Sequence, residues 1–362
     1  MKNIKEILKK NSKKIIIYLS VLIILGISMC FSSFIDKCII NVLTNKNHVI
    51  ANNKLIIHFM DVGQADAVAI NLPNGEIAII DTGSEYSAND LIMYLDTYVM
   101  SLGKEKIDYL FFSHADSDHT GGIKSIVYNY EVKNIIRPRQ YASFENLTSD
   151  YDAYFEDESG SFDSTMLAIY EEVDKGAKLI KAEDMLHFDL GGVNVDIFYP
   201  NIKAEDSNSF SYFIKVEYKG KSLLFTGDVD EEMEKAVLKT HENEINCDIL
   251  KVAHHGSSTS SSDMFVYFAS PKYAVISVGN NYYGHPSYKV VDRLTGYGAE
   301  VLRTDLEGNI VFSIEDDIDV YLGLIYISKI EFSYFQLCWC VIFIIICYVC
   351  FWILKKLKML AK

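Results

Sequence analysis

The chain has 362 residues, 49% hydrophobic and 23% charged, which excludes a disordered or low-complexity protein and leaves room for a domain of ordinary size with a real core. The formal charge of −15 is unevenly spread: residues 1–14 carry six Lys and one Glu (+5), residues 355–362 carry four Lys (+4), and residues 15–354 therefore sum to −24. A body that acidic has no general attraction for phosphate backbones, so any nucleic-acid contact has to rest on a local site or on bound metal.

In chain order, the basic tail 1–14 is followed by 15–35, 21 residues without a charge and long enough to cross a bilayer. A cleaved signal peptide is the alternative, disfavoured by the length of the run and the lack of a small-x-small cleavage site. Residues 36–53, rich in Asn and Lys, read as a linker, and residues 54–314 as one α/β domain. After a second linker, 315–331, residues 332–354 form another apolar run of 23 residues, with Trp339, Tyr348 and Trp352 suited to membrane interfaces, and 355–362 is a second basic tail. Lysines flank the outer ends of both runs, which predicts two spans, both termini in the cytoplasm and the domain on the other side of the cell membrane. Six of seven cysteines (Cys30, Cys38, Cys338, Cys340, Cys347, Cys350) lie in or beside these runs. Only Cys247 lies mid-chain, where it reads as core, so neither a disulfide framework nor a cysteine zinc site is supported.

Within the domain, β-rich runs predict strands at 54–60, 76–80, 107–112, 193–198, 210–218, 221–226, 247–252, 273–278 and 309–314. Ser87 is placed to N-cap a helix whose apolar face carries Leu91, Ile92, Leu95 and Val99, and 231–240 and 287–295 read as further helices. Lys219-Gly220 between two strand runs predicts a hairpin, and 139–165 reads as a polar insertion.

Chemistry concentrates where strands end. After the run 107–112 comes Ser113-His114-Ala115-Asp116-Ser117-Asp118-His119-Thr120-Gly121-Gly122, four potential metal ligands in six residues on a loop, where they can converge. Imidazole nitrogen and carboxylate oxygen suit Zn²⁺, Mn²⁺ or Fe²⁺. A polar turn whose aspartates cap the next helix is the plainer alternative. Three further strand ends weaken it: Asp81 after IAII, Asp228 after SLLFTG, and His254-His255 after DILKVA.

These motifs in this order resemble the metallo-β-lactamase superfamily. The opening Met60-Asp61-Val62-Gly63-Gln64-Ala65-Asp66-Ala67, the later Gly284-His285-Pro286-Ser287 and Arg303-Thr304-Asp305-Leu306-Glu307-Gly308 narrow the resemblance to its ComEC-type branch, named for the hydrolase-like domain of the competence DNA-uptake channel. The resemblance covers about Lys54 to Ile314 and implies an αβ/βα sandwich, two mixed sheets face to face with helices outside and metal at one edge. Three departures stand out. Asp116 replaces the second His of the superfamily's commoner loop, Ser207-Asn208-Ser209 stands where a further His is usual, and Ala65 stands where the branch usually has Gly. The first two recur in the branch.

The resemblance implies two divalent ions, Zn or Mn. One would be held by His114, Asp116 and Asp228 with water or Asn208, the other by Asp118, His119, Asp228 and His254, with His255 outside the ligands or facing substrate. Asp61 and Asp81 would accept hydrogen bonds from ligand histidines, and His285 would donate a proton or bind phosphate. His58, His187 and His241 read as ordinary strand or surface histidines. The activity implied is phosphoester or phosphodiester hydrolysis through a hydroxide bridging the metals, with Asp118, Asp228 and His285 the catalytic residues. The partner is then a phosphoester-containing substrate, nucleic acid among the candidates. The alternative is a membrane module in DNA uptake or envelope processes that binds a phosphorylated polymer with little or no turnover. With two spans, one copy has too few for a DNA pore.

Overall fold

The computed structural model describes residues 54–100, 105–138, 164–199 and 208–323. The two apolar runs, both basic tails, the linker 36–53 and nearly all of the polar insertion lie outside the described residues. No helix among the described residues is long and apolar enough to cross a membrane.

The first half of the domain runs β1 (Leu55–Phe59), β2 (Ala67–Asn71), β3 (Ile77–Thr82), α1 (Ala88–Tyr94, prolonged by a wide turn Leu95–Val99), β4 (Lys106–Phe111), α2 (Ser117–Thr120), α3 (Ile123–Asn129), β5 (Glu131–Arg137), α4 (Ser164–Lys175) and β6 (Lys178–Lys181). The second runs β7 (Leu186–Asp189), β8 (Asn194–Phe198), β9 (Phe213–Tyr218), β10 (Lys221–Phe225), α5 (Glu231–His241), β11 (Ile249–Lys251), α6 (Asp263–Ala269), β12 (Tyr273–Ile276), α7 (Tyr288–Gly296), β13 (Glu300–Arg303), α8 (Thr304–Glu307), β14 (Ile310–Ile314) and β15 (Ile318–Leu322). One sheet has the order β15-β14-β1-β2-β3-β4-β5-β6 and the other β13-β12-β11-β10-β9-β8-β7. Each is antiparallel on one side and parallel on the other: β3 through β6 and β10 through β13 are parallel neighbours.

Alternation along the strands explains why two sheets pack between helices. In β1, Leu55, Ile57 and Phe59 point into the apolar layer shared by the sheets, while Ile56 points to the layer under α1, α3 and α4. Phe59 of one sheet meets Phe225 of the other at 5.9 Å between ring centres. Leu250 and Ala274 face a third layer, under α5, α6 and α7. His58 faces the helix side, bonded to the Tyr94 hydroxyl and Asn71, and burial lowers its pKa to about 4, so it is a neutral core residue. Cys247 is likewise buried core.

The hairpin at Lys219-Gly220 forms as expected, Tyr218 opposite Lys221, with both turn residues at positive φ (48° and 76°) as a type I′ turn requires. Two expectations are corrected. Ser87 does not cap α1: its hydroxyl bonds the Ser84 backbone N–H at 3.1 Å within a short turn, Glu85–Ser87, that precedes the helix. Nor is 315–331 linker throughout, because β15 pairs with β14 from Ile314–Ile318 to Ile310–Leu322 and carries the sheet to Leu322.

Candidate metal centre

The carboxyl ends of β3, β4, β10, β11 and β12 deliver their loops to one edge of the sandwich, where chemistry gathers in folds of this kind. Asp81 closes β3 in a left-handed conformation (φ 58°). Its carboxylate accepts from the Ser113 backbone N–H at 2.8 Å, the Ser113 hydroxyl at 2.7 Å and His119 Nδ1 at 2.8 Å. The one-turn helix α2 holds Asp118 and His119, and the glycine pair after it lets that turn lie against the end of β3. A Cβ on Gly122 would stand 2.1 Å from the Thr82 carbonyl oxygen and one on Gly121 2.5 Å from the Glu85 backbone nitrogen. Asp228 follows β10 in a tight turn with Gly227 at φ 52°, its own N–H bonded to the Ser211 hydroxyl at 3.2 Å. His254 and His255 follow β11, both at φ 50°, two consecutive left-handed residues of the kind that a fold tolerates at functional positions.

The hydrogen bonds behind the imidazoles decide which way they face. His255 Nδ1 lies 2.7 Å from the Ser277 carbonyl and His119 Nδ1 2.8 Å from the Asp81 carboxylate, and neither partner can donate, so both Nδ1 atoms carry the proton. Ser113 gives its single hydroxyl proton to Asp81, so it accepts from His114 Nδ1 at 3.1 Å. All three rings therefore turn Nε2 the same way, onto carboxylates: His114 toward Asp116 (3.7 Å), His119 toward Asp228 (3.4 Å), His255 toward Asp118 (3.2 Å) and Asp228 (3.8 Å). His254 Nε2 also faces Asp228, at 3.9 Å. His114 Nε2, His119 Nε2 and Asp228 Oδ1 are buried without a hydrogen-bond partner, as is Asn208 Oδ1. Buried polar atoms without partners are rare in folded proteins, and here His119 and Asp228 offer ligand atoms within 4.8 Å of each other while the His114 ring packs on that of His119 at 4.1 Å between centres. Nitrogen and oxygen donors in this arrangement fit one or two divalent ions.

Charge follows from the same geometry. Burial alone would lower the pKa of His119, but Asp228, Asp81 and Asp66 around it raise it well above the ordinary histidine value, and Asp228 and Asp66 do the same, more mildly, for His255. Burial works against Asp228 too, yet His119, His255 and His114 hold its carboxyl well below the usual range. Asp118 is lowered to about 2 against its own burial, chiefly through the bond from His255. His254 and His285 lie lower than usual because they are partly buried.

Among the described residues, Asp66, His119, Asp228 and His255 each offer a ligand atom within 4.8 Å of the others. The two neighbouring histidines differ in setting: the double left-handed turn buries His255 against Asp118, whereas His254, the expected ligand, keeps 28% of its side chain exposed and packs on the His285 ring at 5.5 Å. Asp61 does not support a histidine; its Oδ1 accepts from Gly63 in its own turn, and Asp81 supports His119. Sequence reading missed four groups: the Ser113 hydroxyl, the Ser277 carbonyl, Asp66 and Lys251. Lys251, 3% exposed, forms an ion pair with Asp66 and stands 3.9 Å from Asp228. The available signal was alternation, since Lys251 shares the face of Ile249, which points between the sheets.

The sequence profile of the metallo-beta-lactamase superfamily matches residues 60–280. This chain belongs to that superfamily. Its members are usually metal-dependent hydrolases. Among curated superfamily relatives, it is 28% identical over 281 residues to ComE operon protein 3 of Bacillus subtilis (strain 168), covering 73% of this chain and 34% of that protein. It is 29% identical over 267 residues to competence protein ComA of Neisseria gonorrhoeae, covering 73% and 33%. The chain thus spans about a third of the length of these relatives. The crystal structure of the metallo-beta-lactamase fold protein YhfI from Bacillus subtilis aligns with 72% of this chain and 100% of its own at 12% identity and a TM-score of 0.45.

Proposed function

We propose that the domain is a metal-dependent hydrolase of phosphoester bonds, held at the cell membrane by 15–35 and 332–354 with both termini cytoplasmic and the domain outside. The observation that carries the hydrolase reading is the convergence of His114 Nε2, His119 Nε2 and Asp228 Oδ1, all buried and without hydrogen-bond partners. An inner set of Asp118, His119, Asp228 and His255 and an outer set of His114, Asp116 and Asp228 would hold two divalent ions, Zn or Mn. Such ions would supply Lewis acidity toward an ester and toward water.

The chain's own residues do the rest. Asp228 stands between the two sets and offsets the charge of both. Asp81, Ser113 and the Ser277 carbonyl hold three imidazoles in the tautomer that leaves Nε2 free to bind. His285, beside His254 at the rim, has a lowered pKa, so near neutrality it offers a neutral ring that can hydrogen-bond a leaving group or accept a proton. The carboxylate-rich set, open at Asp116, and the lack of a further His favour a phosphoester over a β-lactam or thioester.

The test is the purified full-length chain in detergent, assayed for bound metal and against phosphomonoesters and phosphodiesters. Turnover lost in EDTA and restored by Mn²⁺ or Zn²⁺ is the expected result. Failure to retain either ion after reconstitution, or turnover indifferent to EDTA, would overturn the reading.

A further inference from the structure

Asp66 lies close to the ligands but on the wrong side of them. Its Oδ2 is 3.7 Å from His119 Nδ1 and its Oδ1 3.7 Å from His255 Nδ1. Those are the nitrogens already committed to Asp81 and the Ser277 carbonyl. Asp66 thus faces the Nδ1 sides of the imidazoles and not the Nε2 side, although one of its oxygens lies within 4.8 Å of an Asp228 oxygen. The Asp66 backbone is fixed as well: its N–H donates to the Asp118 carbonyl at 3.1 Å, and its carbonyl accepts from Gly83 at 2.7 Å. Lys251 reaches this rear chamber from the end of β11, in direct ion-pair contact with Asp66 and 3.9 Å from Asp228 Oδ1, the oxygen that also faces His119 Nε2. Both members of the pair are buried to 3% exposure, where charge is weakly screened.

We propose that Lys251 is a resident cation of this centre and Asp66 its counter-ion rather than a metal ligand, so that the net charge of the pair sets how strongly the forward ligands attract divalent ions. The proposal rests on the reading of this edge as a metal centre. As found, the pair is neutral. Removing the ammonium leaves a bare carboxylate behind His119 and His255 and raises the negative potential at Asp228, which favours a dication. Removing the carboxylate leaves a bare ammonium and does the opposite. Lys251 is on this account a positioning residue that acts through Asp228 and touches no substrate.

Four full-length proteins test it by calorimetric titration with Mn²⁺, a readout independent of turnover: wild type, Lys251→Met, Asp66→Asn and Asp66→Asn/Lys251→Met. The expected order follows pair charge. Lys251→Met binds at least about tenfold tighter than wild type, Asp66→Asn at least about tenfold weaker, and the neutral double variant within about threefold of wild type. Metal-free melting should fall in each single variant, which strands a buried charge, and recover in the double. If Lys251→Met does not fold, the other two variants still decide, because a double variant as weak as Asp66→Asn would make Asp66 a ligand and overturn the proposal. Weaker binding by folded Lys251→Met would overturn it also, by reducing the lysine to a scaffold. No binding by wild type would overturn the metal reading itself.

Discussion

The inner and outer parts of the site are built to different standards. Inside, His119 and His255 are almost wholly buried, each has Nδ1 clamped by a group that can only accept, and both face Asp228, itself 5% exposed. Outside, His114 is buried, but its partner Asp116 is 37% exposed, and His254 leans on His285 rather than on a fixed acceptor. Rigid support lowers the cost of assembling ligands around an ion, so the inner position should hold metal firmly and the outer one exchange it.

The largest test of that contrast is Asp228→Asn. It keeps the shape and removes the one charge shared by both positions, so turnover at neutral pH should fall by orders of magnitude and metal content after dialysis should drop below that of wild type, for which about one ion per chain is expected. A folded Asp228→Asn with near-normal turnover would erase the distinction between inner and outer. Next is the histidine pair. His255→Ala should cost more metal affinity than the ~10–100-fold typical of an outer support, and His254→Ala less than about tenfold, both read by titration. Equal losses would mean that burial does not rank the ligands. Asp81→Asn leaves every ligand in place but weakens the acceptor behind His119, so affinity should drop ~10–100-fold with metal content at saturation unchanged.

The smallest effect lies outside the site and calibrates the others. Glu234 on α5 accepts from the Ser261 and Ser262 backbone N–H groups, and burial raises its pKa from 4.5 to about 7 against those bonds. A folded pKa above the unfolded one means that its contribution to stability is fully present below pH 4.5 and is lost as pH rises through about 7. Glu234→Gln should therefore flatten the fall in melting temperature between pH 5 and pH 8 by about 5–10 °C in EDTA, leaving metal affinity untouched.

Much of this could be read along the chain because it is local. The runs 54–60, 221–226 and 273–278 are continuous and apolar, and become β1, β10 and β12; the loop from His114 to His119 announces itself by ligand density. What escaped was either marginal or distant. Strands β6, β7 and β15 are short edge strands with half-exposed faces, so four or five residues carried too little pattern. The choice between His254 and His255 hangs on two left-handed residues, a backbone state that no side chain there demands. The Asp66–Lys251 pair joins the loop before β2 to β11 in the other sheet, and nothing local to either residue reveals the other.

The pairing of β1 with β14, Leu55 opposite Ile314 through Phe59 opposite Ile310, has a consequence for synthesis. A chain made from its N-terminus can pair β1 with β2 early but must make the entire second sheet before β14, the other neighbour of β1, emerges. The loop from His114 to His119 thus exists long before Asp228 and His255 can reach it. An ion has nothing to nucleate on the growing chain and can only lock the finished sandwich. Metal should accordingly slow the unfolding of the mature domain and leave its rate of folding nearly unchanged, and a ribosome-stalled chain ending before Ile310 should hold no metal although all of its ligands have been made.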